Sequence, residues 1–500
     1  MIKPVPVRDP LSPALVNKPI KSGKKNKERR LLAFFLFMVI FACVAAYQSE
    51  KPLPAGISME GPVHYITEQD IDFLYDLTYK PSPEGQQKTE QMIFEHVYEA
   101  IEEARAFIVI DMFLHNSFYN KDQSYPTLSR NLTDKLIVQK LKYPELSIVF
   151  ITDDINTSYG SHPAPELDRL QAAGIRTVIT DVDPLRDSNP LYSTGWRMFA
   201  QWFGQSREGW ITNKMATAAP DMTLRSYMKL LNVKANHRKV IVTDKSLIVS
   251  TANSHDASYY SSNSGFKVSG NIIGDALASE QAVAGMSESL TLPTYSMAAQ
   301  EKGDIRVRLL TEGKILKHVW KDLSKAEAGD MIWMGMFYLA DRLVIEQLLK
   351  ASERGVEIRL ILDPNQNAFG NEKIGIPNRP VASELINKSN ERIKIRWYNT
   401  GDEQFHTKLM LIRHKGEVTI HNGSANYTTR NLGDLNLETN LKVEAPESSK
   451  VSKQVQQYFE KLWENNGAEY TLDYSAYRDE TVFLKRILYR VQGWLDFTTF

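Results

Sequence analysis

The same order of elements is written twice along this chain, and that repeat limits its possible folds more than any other feature. In the first half, QMIFEHVYEAIEEAR (91–105) has apolar residues at helical spacing, and AFIVIDMFLH (106–115) is a β-rich run. LSIVFITDD (146–154) is a second such run, LDRLQAAG (167–174) is helical and closes on Gly174 as a C-cap, and IRTVITDV (175–182) is a strand again. The second half repeats the order: GKILKHVWKDLSKAE (313–327), MIWMGMFYL (331–339), DRLVIEQLLKASERG (341–355), VEIRLILD (356–363), a short helix near 381–388, and RIKIRWYN (392–399). Alternating helices and strands predict an α/β fold with a largely parallel sheet, and the doubled order predicts duplication. The first half also carries an extra stretch, roughly 183–235.

Each half then ends in a related motif: NHRKVIVTDKSLIVSTANSHDASYY (236–260), and FHTKLMLIRHKGEVTIHNGSANYTTRNLGDLNLETNL (405–441). His237 and Lys239 are matched by His406 and Lys408, and Ser250 and Asn253 by Ser424 and Asn426. Residues two apart on a strand face the same side, so the His and Lys of each motif project together. An Asn at the end of the next strand can reach the same spot. Packed face to face, the halves would gather two imidazoles, two ammoniums and two amides. Ammoniums and amides suit a phosphate, while one imidazole can attack phosphorus and the other protonate the leaving oxygen. One His-x-Lys alone means little, but two inside a repeated unit, each followed by Ser and Asn, are hard to explain as surface accident.

Composition sets further bounds. Lys+Arg and Asp+Glu are both 60, a balance that argues against a dedicated nucleic-acid binder, though a local basic groove remains compatible with it. The single cysteine, Cys43, allows neither an intrachain disulfide nor a cysteine-based zinc site. No histidine cluster has metal-site spacing, and the chemistry outlined above needs no metal or other cofactor.

The run LLAFFLFMVIFACVAAY (31–47) is apolar and uncharged, and as a helix it would extend about 25 Å, the short end of a membrane span. Lys21, Lys24, Lys25, Lys27, Arg29 and Arg30 precede it, which places the amino end in the cytoplasm and the catalytic region beyond a cell membrane crossed once. An uncleaved anchor is the preferred reading; a cleaved signal, with Val44 and Ala46 at the small-residue positions, is the alternative. Two further stretches suit a bilayer interface. Trp196, Phe199, Trp202 and Phe203 fall on one helical face within 191–210, and Phe483, Ile487, Val491 and Trp494 on one face of the tail, beside Lys485, Arg486 and Arg490. Packing against the core accounts for either stretch equally well.

At its paired motifs the sequence resembles the phospholipase D superfamily, whose signature is H-x-K-x4-D followed by a Gly/Ser-rich Asn turn. The first copy fits through His237, Lys239 and Asp244, whereas the second has Arg413 where Asp is expected. Within the superfamily, N-H-R-K, G-S-A-N, Arg430 and Asn436-Leu437-Glu438 are most similar to bacterial cardiolipin synthases. The resemblance implies two α/β/α sandwich halves packed face to face and a phosphohistidine mechanism without cofactor. It assigns His237, Lys239, Asp244, His406 and Lys408 to the catalytic motif, with His237 preferred as nucleophile and His406 as general acid. Ser250, Asn253, Ser424 and Asn426 would hold phosphate; Glu438 and Asp256 would orient the histidines, although Asp256 reads equally as a helix N-terminal residue. The expected partners are a phospholipid substrate and the membrane, with no nucleic acid. The expected organisation is a basic tail (1–30), an anchor (31–47), a linker (48–65), two halves (66–300 and 301–475) and an amphipathic end (476–500). His115 and His318 lie in apolar-periodic runs and read as core or groove residues, and His421 is ambiguous.

Overall fold

The structure is a computed structural model that describes residues 22–82, 84–296, 302–368, 371–478 and 482–494. Most of the basic tail and the last six residues of the amphipathic end therefore lie outside the described residues.

Two sheets face each other. The first has eight strands, in the order Lys88–Gln91, Ile71–Tyr79, Asn263–Val268, Leu247–Ser250, Lys239–Thr243, Phe107–Met112, Ser147–Asp153 and Arg176–Thr180. The second has nine: His64–Ile66, Ile305–Thr311, Thr439–Pro446, Glu417–Gly423, Lys408–His414, Met331–Met336, Glu357–Leu362, Ile393–Tyr398 and Thr471–Asp473. Alternation along the strands sorts the core. Val109, Val240 and Val249 of the first sheet and Leu409, Ile420 and Val443 of the second share one inner cluster. Ile108, Ile110 and Ile241 turn outward under the helices of the first half, and Ile332, Met334 and Met410 under those of the second. The helices Ile272–Gly285 and Lys450–Trp463 also contribute to the inner cluster, through Ile272, Ala276, Val455 and Phe459.

Local rules place the helices. Gly174 takes φ +77 just after Pro165–Ala172, the left-handed stop that a residue with a Cβ adopts only at a cost. Asp341 caps Arg342–Glu353 by accepting the Leu343 and Val344 N–H groups, and Ser449 caps Lys450–Trp463 through the Ser452 N–H.

Three sequence expectations change. The sheets are mixed rather than largely parallel. Only the three strands joined by helical crossovers in each half, Phe107–Met112 to Arg176–Thr180 and Met331–Met336 to Ile393–Tyr398, run parallel. The His-Lys strands return through short turns and pair antiparallel, as tight connections require. The stretch 48–65 is more than a linker, because His64–Ile66 pairs with Ile305–Thr311 and adds an edge strand to the second sheet. Finally, the aromatic stretch is not one continuous helix. Pro190–Met198 ends in a 3-10 turn at Ala200–Trp202, which buries Trp196 while Phe199, Trp202 and Phe203 face outward. In the tail, Ile487 and Val491 are exposed while Tyr489 packs into the second half and donates to the Ala340 carbonyl at 2.6 Å. The side chains of Phe483 and Trp494 lie outside the described residues.

A buried ion pair ties the halves together. Arg238, fully enclosed, donates to Glu312 at 2.6 Å across the interface, and to Ser279 at 2.7 Å and Glu280 at 3.1 Å within its own half. Removing one partner of such a set strands the others without water or counter-charge, at a cost of about 3–5 kcal/mol. Arg238→Met is therefore expected to lower the thermal midpoint of the detergent-solubilised protein sharply; a midpoint within a degree of the parent would show that the network does not carry the interface.

Candidate active site

The two motifs meet across the sheet interface, related by an approximate twofold. Asn236, just before His237, bridges to Leu437 of the other half, and Phe405, just before His406, bridges back to Ser262. The His237 N–H donates to the Leu437 carbonyl at 2.9 Å, and the Ser262 N–H to the Gln404 carbonyl at 2.9 Å. Each histidine thus lies beside the residue that follows its bridge partner. His237 Nδ1 meets the Glu438 carboxylate at 2.9 and 3.1 Å, and His406 Nδ1 meets Asn263 Oδ1 at 3.2 Å.

The support behind the histidines is duplicated as well. Asp153 accepts the Asn236 N–H at 2.7 Å, and Asp363 accepts the Phe405 N–H at 2.8 Å. Both carboxyls are pushed up to about 7, burial outweighing these hydrogen bonds. Phe113 and Phe337, which follow equivalent strands, stand 4.8 Å from the His237 ring and 5.1 Å from the His406 ring. The same two rings lie beneath the lysines, with Lys239 Nζ 5.0 Å from the Phe113 centroid and Lys408 Nζ 5.2 Å from that of Phe337. Each ammonium also donates to the carbonyl of its own histidine, at 2.7 Å for Lys239 and 2.8 Å for Lys408.

Such enclosure is electrostatically costly. Burial lowers Lys239 to about 7, although Glu438, Asp111 and Asp153 oppose it. Lys408 is lowered well below its ordinary range, by burial and then by Lys239 beside it. Both imidazoles are also held well below theirs, first by burial and then by the two lysines. Glu438 is raised to about 7 by burial, against the pull of Lys239. An anion between the lysines would relieve the whole set.

Not every residue singled out from the sequence reaches this cluster. Asp244 sits at the far end of the Lys239–Thr243 strand, where it accepts the Arg105 and Ala106 N–H groups at 2.9 and 3.2 Å, so it secures a turn and touches no histidine. Its counterpart Arg413 pairs with Glu447 at 3.3 Å, and Asp330 steadies the nearby edge by meeting His414 Nδ1 at 2.6 Å. Asp256 does not orient His406; it accepts the Ser129 N–H and hydroxyl, both at 2.8 Å, at the start of the Leu128–Lys142 helix. Ser424 donates to Glu438 and accepts the Thr439 N–H at 3.0 Å, and Ser250 accepts the Ala252 N–H at 3.3 Å. Gly423 has no room for a side chain, since a Cβ there would stand 2.2 Å from the Thr439 carbonyl oxygen. The amide oxygens of Asn253 and Asn426 are buried without a hydrogen-bond partner among the described residues.

Asn263, Asn431, Phe113 and Phe337 carry no motif signal in the sequence. Asn431 donates to Glu438 from a short helix, Thr429–Leu432. Asn263 and the two phenylalanines could have been found by aligning the halves, since 262–265 corresponds to 437–440 and both parallel strands run on into Phe. The other histidines are held structurally: His115 between Ser254 and Thr133 at 2.8 and 3.0 Å, His318 against Glu60 at 3.1 Å, and His421 against Asp322 at 2.8 Å. No group of three His, Cys, Asp or Glu side chains suits a metal among the described residues.

Comparison with known proteins bears on the fold and on part of the second half. Residues 319–463 match the family described as "Cardiolipin synthase, PLD-like domain". The fold is shared with phosphatidylserine synthase of Haemophilus influenzae Rd KW20, at TM-score 0.54 and 11% identity, over 87% of this chain and 95% of that one. Polyphosphate kinase from Porphyromonas gingivalis aligns at TM-score 0.43 and 14% identity, over 86% of this chain and 54% of that one. Nuc of Salmonella typhimurium, a phospholipase D family member, aligns at TM-score 0.27 and 19% identity, over 35% of this chain and 99% of that one. No curated protein matches by sequence.

The buried lysines make a stability prediction. A base whose folded pKa is depressed loses stability as pH falls through the window in which the unfolded chain is protonated and the folded one is not, and the loss persists below that window. For Lys239 that cost is absent above 10.5, grows as pH falls and is complete below about 7. Lys239→Met is therefore expected to raise the melting temperature, more at pH 7 than at pH 9.5. A lowered melting temperature at both values would contradict the assignment.

Proposed function

We propose that this chain, whose residues 319–463 match the cardiolipin synthase-type domain, is a phospholipase D-like enzyme that transfers or hydrolyses phosphatidyl groups through a phosphohistidine. The observation that carries this reading is the asymmetry of the imidazole pair, in which His237 has a carboxylate on Nδ1 and His406 has an amide. With Nδ1 engaged, Nε2 is the nitrogen left to react.

His237 Nε2 attacks phosphorus, and the bond from phosphorus to the first alcohol breaks. His406, protonated on Nε2, gives its proton to the departing oxygen. The resulting imidazole is cationic, bonded to phosphorus on one nitrogen and to hydrogen on the other. Glu438 stabilises that cation, whereas the neutral Asn263 leaves His406 readier to release its proton. A second alcohol, or water, then attacks phosphorus, returns a proton to His406 and breaks the bond to His237. Lys239, Lys408, Asn253 and Asn426 hold the phosphoryl oxygens throughout, and the incoming anion restores the ammonium charges that burial has weakened.

The apolar helix Ser22–Glu50, long enough to span a bilayer, fits a substrate that stays in the membrane. Because the basic residues precede it, the catalytic region belongs on the extracytoplasmic side.

The first test is mass analysis of products from phosphatidylglycerol in mixed micelles. Cardiolipin and glycerol, absent with His237→Ala, are the expected products. Phosphatidic acid would mean a hydrolase at the same site, and turnover of nucleic acid without any phospholipid would overturn the reading. Glu438→Gln is expected to slow turnover by roughly 100-fold or more, the scale on which second-sphere and electrostatic groups act. In the same assay, Asn263→Ala should cost less, because it removes only a neutral partner; the reverse ranking would exchange the roles of the two histidines.

A further inference from the structure

The stretch between the third parallel strand of the first half and the His237 motif has no part in the catalytic cluster, yet it carries the most exposed aromatic side chains of the globular region. Trp202 is 77% exposed, Phe203 72% and Leu191 65%, with Phe199 also open. A soluble surface rarely gathers so many large apolar groups without a partner.

Their position identifies the partner. The helix Pro190–Met198 packs against the apolar amino-terminal helix and runs antiparallel to it. At its upper end the Asp187 N–H donates to the Gln48 carbonyl at 3.0 Å, and at its lower end the Phe199 ring stands 6.2 Å from Phe37. By helix rise Phe37 lies about 15 Å below Tyr47, half the thickness of a hydrocarbon core. If the apolar helix spans a bilayer, the turn at 199–203 hangs inside the leaflet that its second half crosses.

The turn is built for that setting. Backbone carbonyls in lipid must find donors within the protein. The Arg197 carbonyl accepts from Gln201 Nε2 at 2.7 Å and from the Trp202 indole at 3.0 Å. Arg225 reaches across to donate to the Gln201 carbonyl at 3.1 Å and the Phe203 carbonyl at 2.7 Å. The charge of Arg197 is turned inward onto Asp187 at 2.8 Å, and Asp187 is fully enclosed. The polar groups thus face the protein or satisfy one another, while the apolar rings face out.

We propose that residues 190–203 form a second membrane-seated element, inserted part-way into the leaflet beside the amino-terminal helix, whose occupant is phospholipid acyl chain. Two grips on one leaflet fix the height and tilt of the globular region, which a single helix cannot do. The inference rests on that helix being a membrane span and not on the chemistry of the site.

The test uses the full-length chain with Cys43→Ser and one new cysteine, Phe203→Cys, labelled with an environment-sensitive dye. It is reconstituted into phosphatidylcholine–phosphatidylglycerol vesicles carrying acyl-chain nitroxides. Leu141→Cys, on the exposed side of a helix covering the first sheet, is the reference. The expected result is blue-shifted emission at position 203 that loses most of its intensity to the nitroxide lipids, with neither change at 141. Emission at 203 as water-like as at 141 would overturn the proposal. So would a blue shift that lipid nitroxides leave unquenched, because that result would assign the surface to a second protein copy. Leu191→Cys, labelled in the same way, checks that the outcome does not depend on replacing Phe203. Quenching at 203 without any turnover of phosphatidylglycerol would leave this inference standing and count only against the chemistry.

Discussion

The pairing of Arg238 with Glu312 is the contact on which the catalytic arrangement depends. Arg238 lies between His237 and Lys239 and points away from them, so one strand places a cation on the interface and the site residues beside it. Its partner Glu312 does more than balance charge: it accepts the Glu438 N–H at 3.0 Å and the Ser58 N–H at 2.7 Å. One buried carboxylate therefore links the first His-Lys strand, the residue that orients its histidine and the segment leading from the apolar helix. Asp111 and Glu280 complete the set; burial and the nearness of Glu280 raise Asp111 well above the carboxylate range. A network of this kind gains little net stability, but it fixes one register between the halves.

That register allows neutral pairings and charged clusters to coexist at one interface. Valine, leucine and isoleucine dominate the inner cluster, and such side chains would tolerate small slips. The bridges at Asn236 and Phe405 do not, because a shift of one residue would exchange the faces of the strands and carry His237 away from Glu438. The site is thus held by backbone pairing and tuned by side chains. It remains strained in the electrostatic sense, with two enclosed lysines, two imidazoles and a single carboxylate in direct contact with one of the rings. Stability given up at such a cluster is the usual companion of a site that waits for an anion.

Duplication gives the two histidines nearly equal surroundings, and small departures from symmetry make those surroundings electrostatically different. Asp153 and Asp363, Phe113 and Phe337, and Asn253 and Asn426 are matched. Glu438 and Asn263 are not. The second half further supports Glu438 with Ser424 and Asn431, and the first half has no equivalent carboxylate to support. A single position where the copies diverge in charge gives one ring a carboxylate partner and the other a neutral amide.

The sequence determined the alternation of helices and strands, the doubling, the two His-Lys pairs and the long apolar helix. Each of these is a local pattern: residue periodicity, a cap at Gly174, side chains two apart on a strand. It also marked Glu438, through the resemblance of the residues around it. It misjudged Asp256, because a carboxylate near a motif in sequence can be carried to the start of a neighbouring helix instead. Only the tertiary structure decided which residue meets which histidine, since both contacts cross between halves and follow from strand pairing that no local pattern encodes. Asn263 on His406, the turn that carries Trp202 and Phe203 outward while Trp196 packs inward, and the edge strand at His64–Ile66 all belong to that second class. Their positions depend on what the rest of the chain places opposite them.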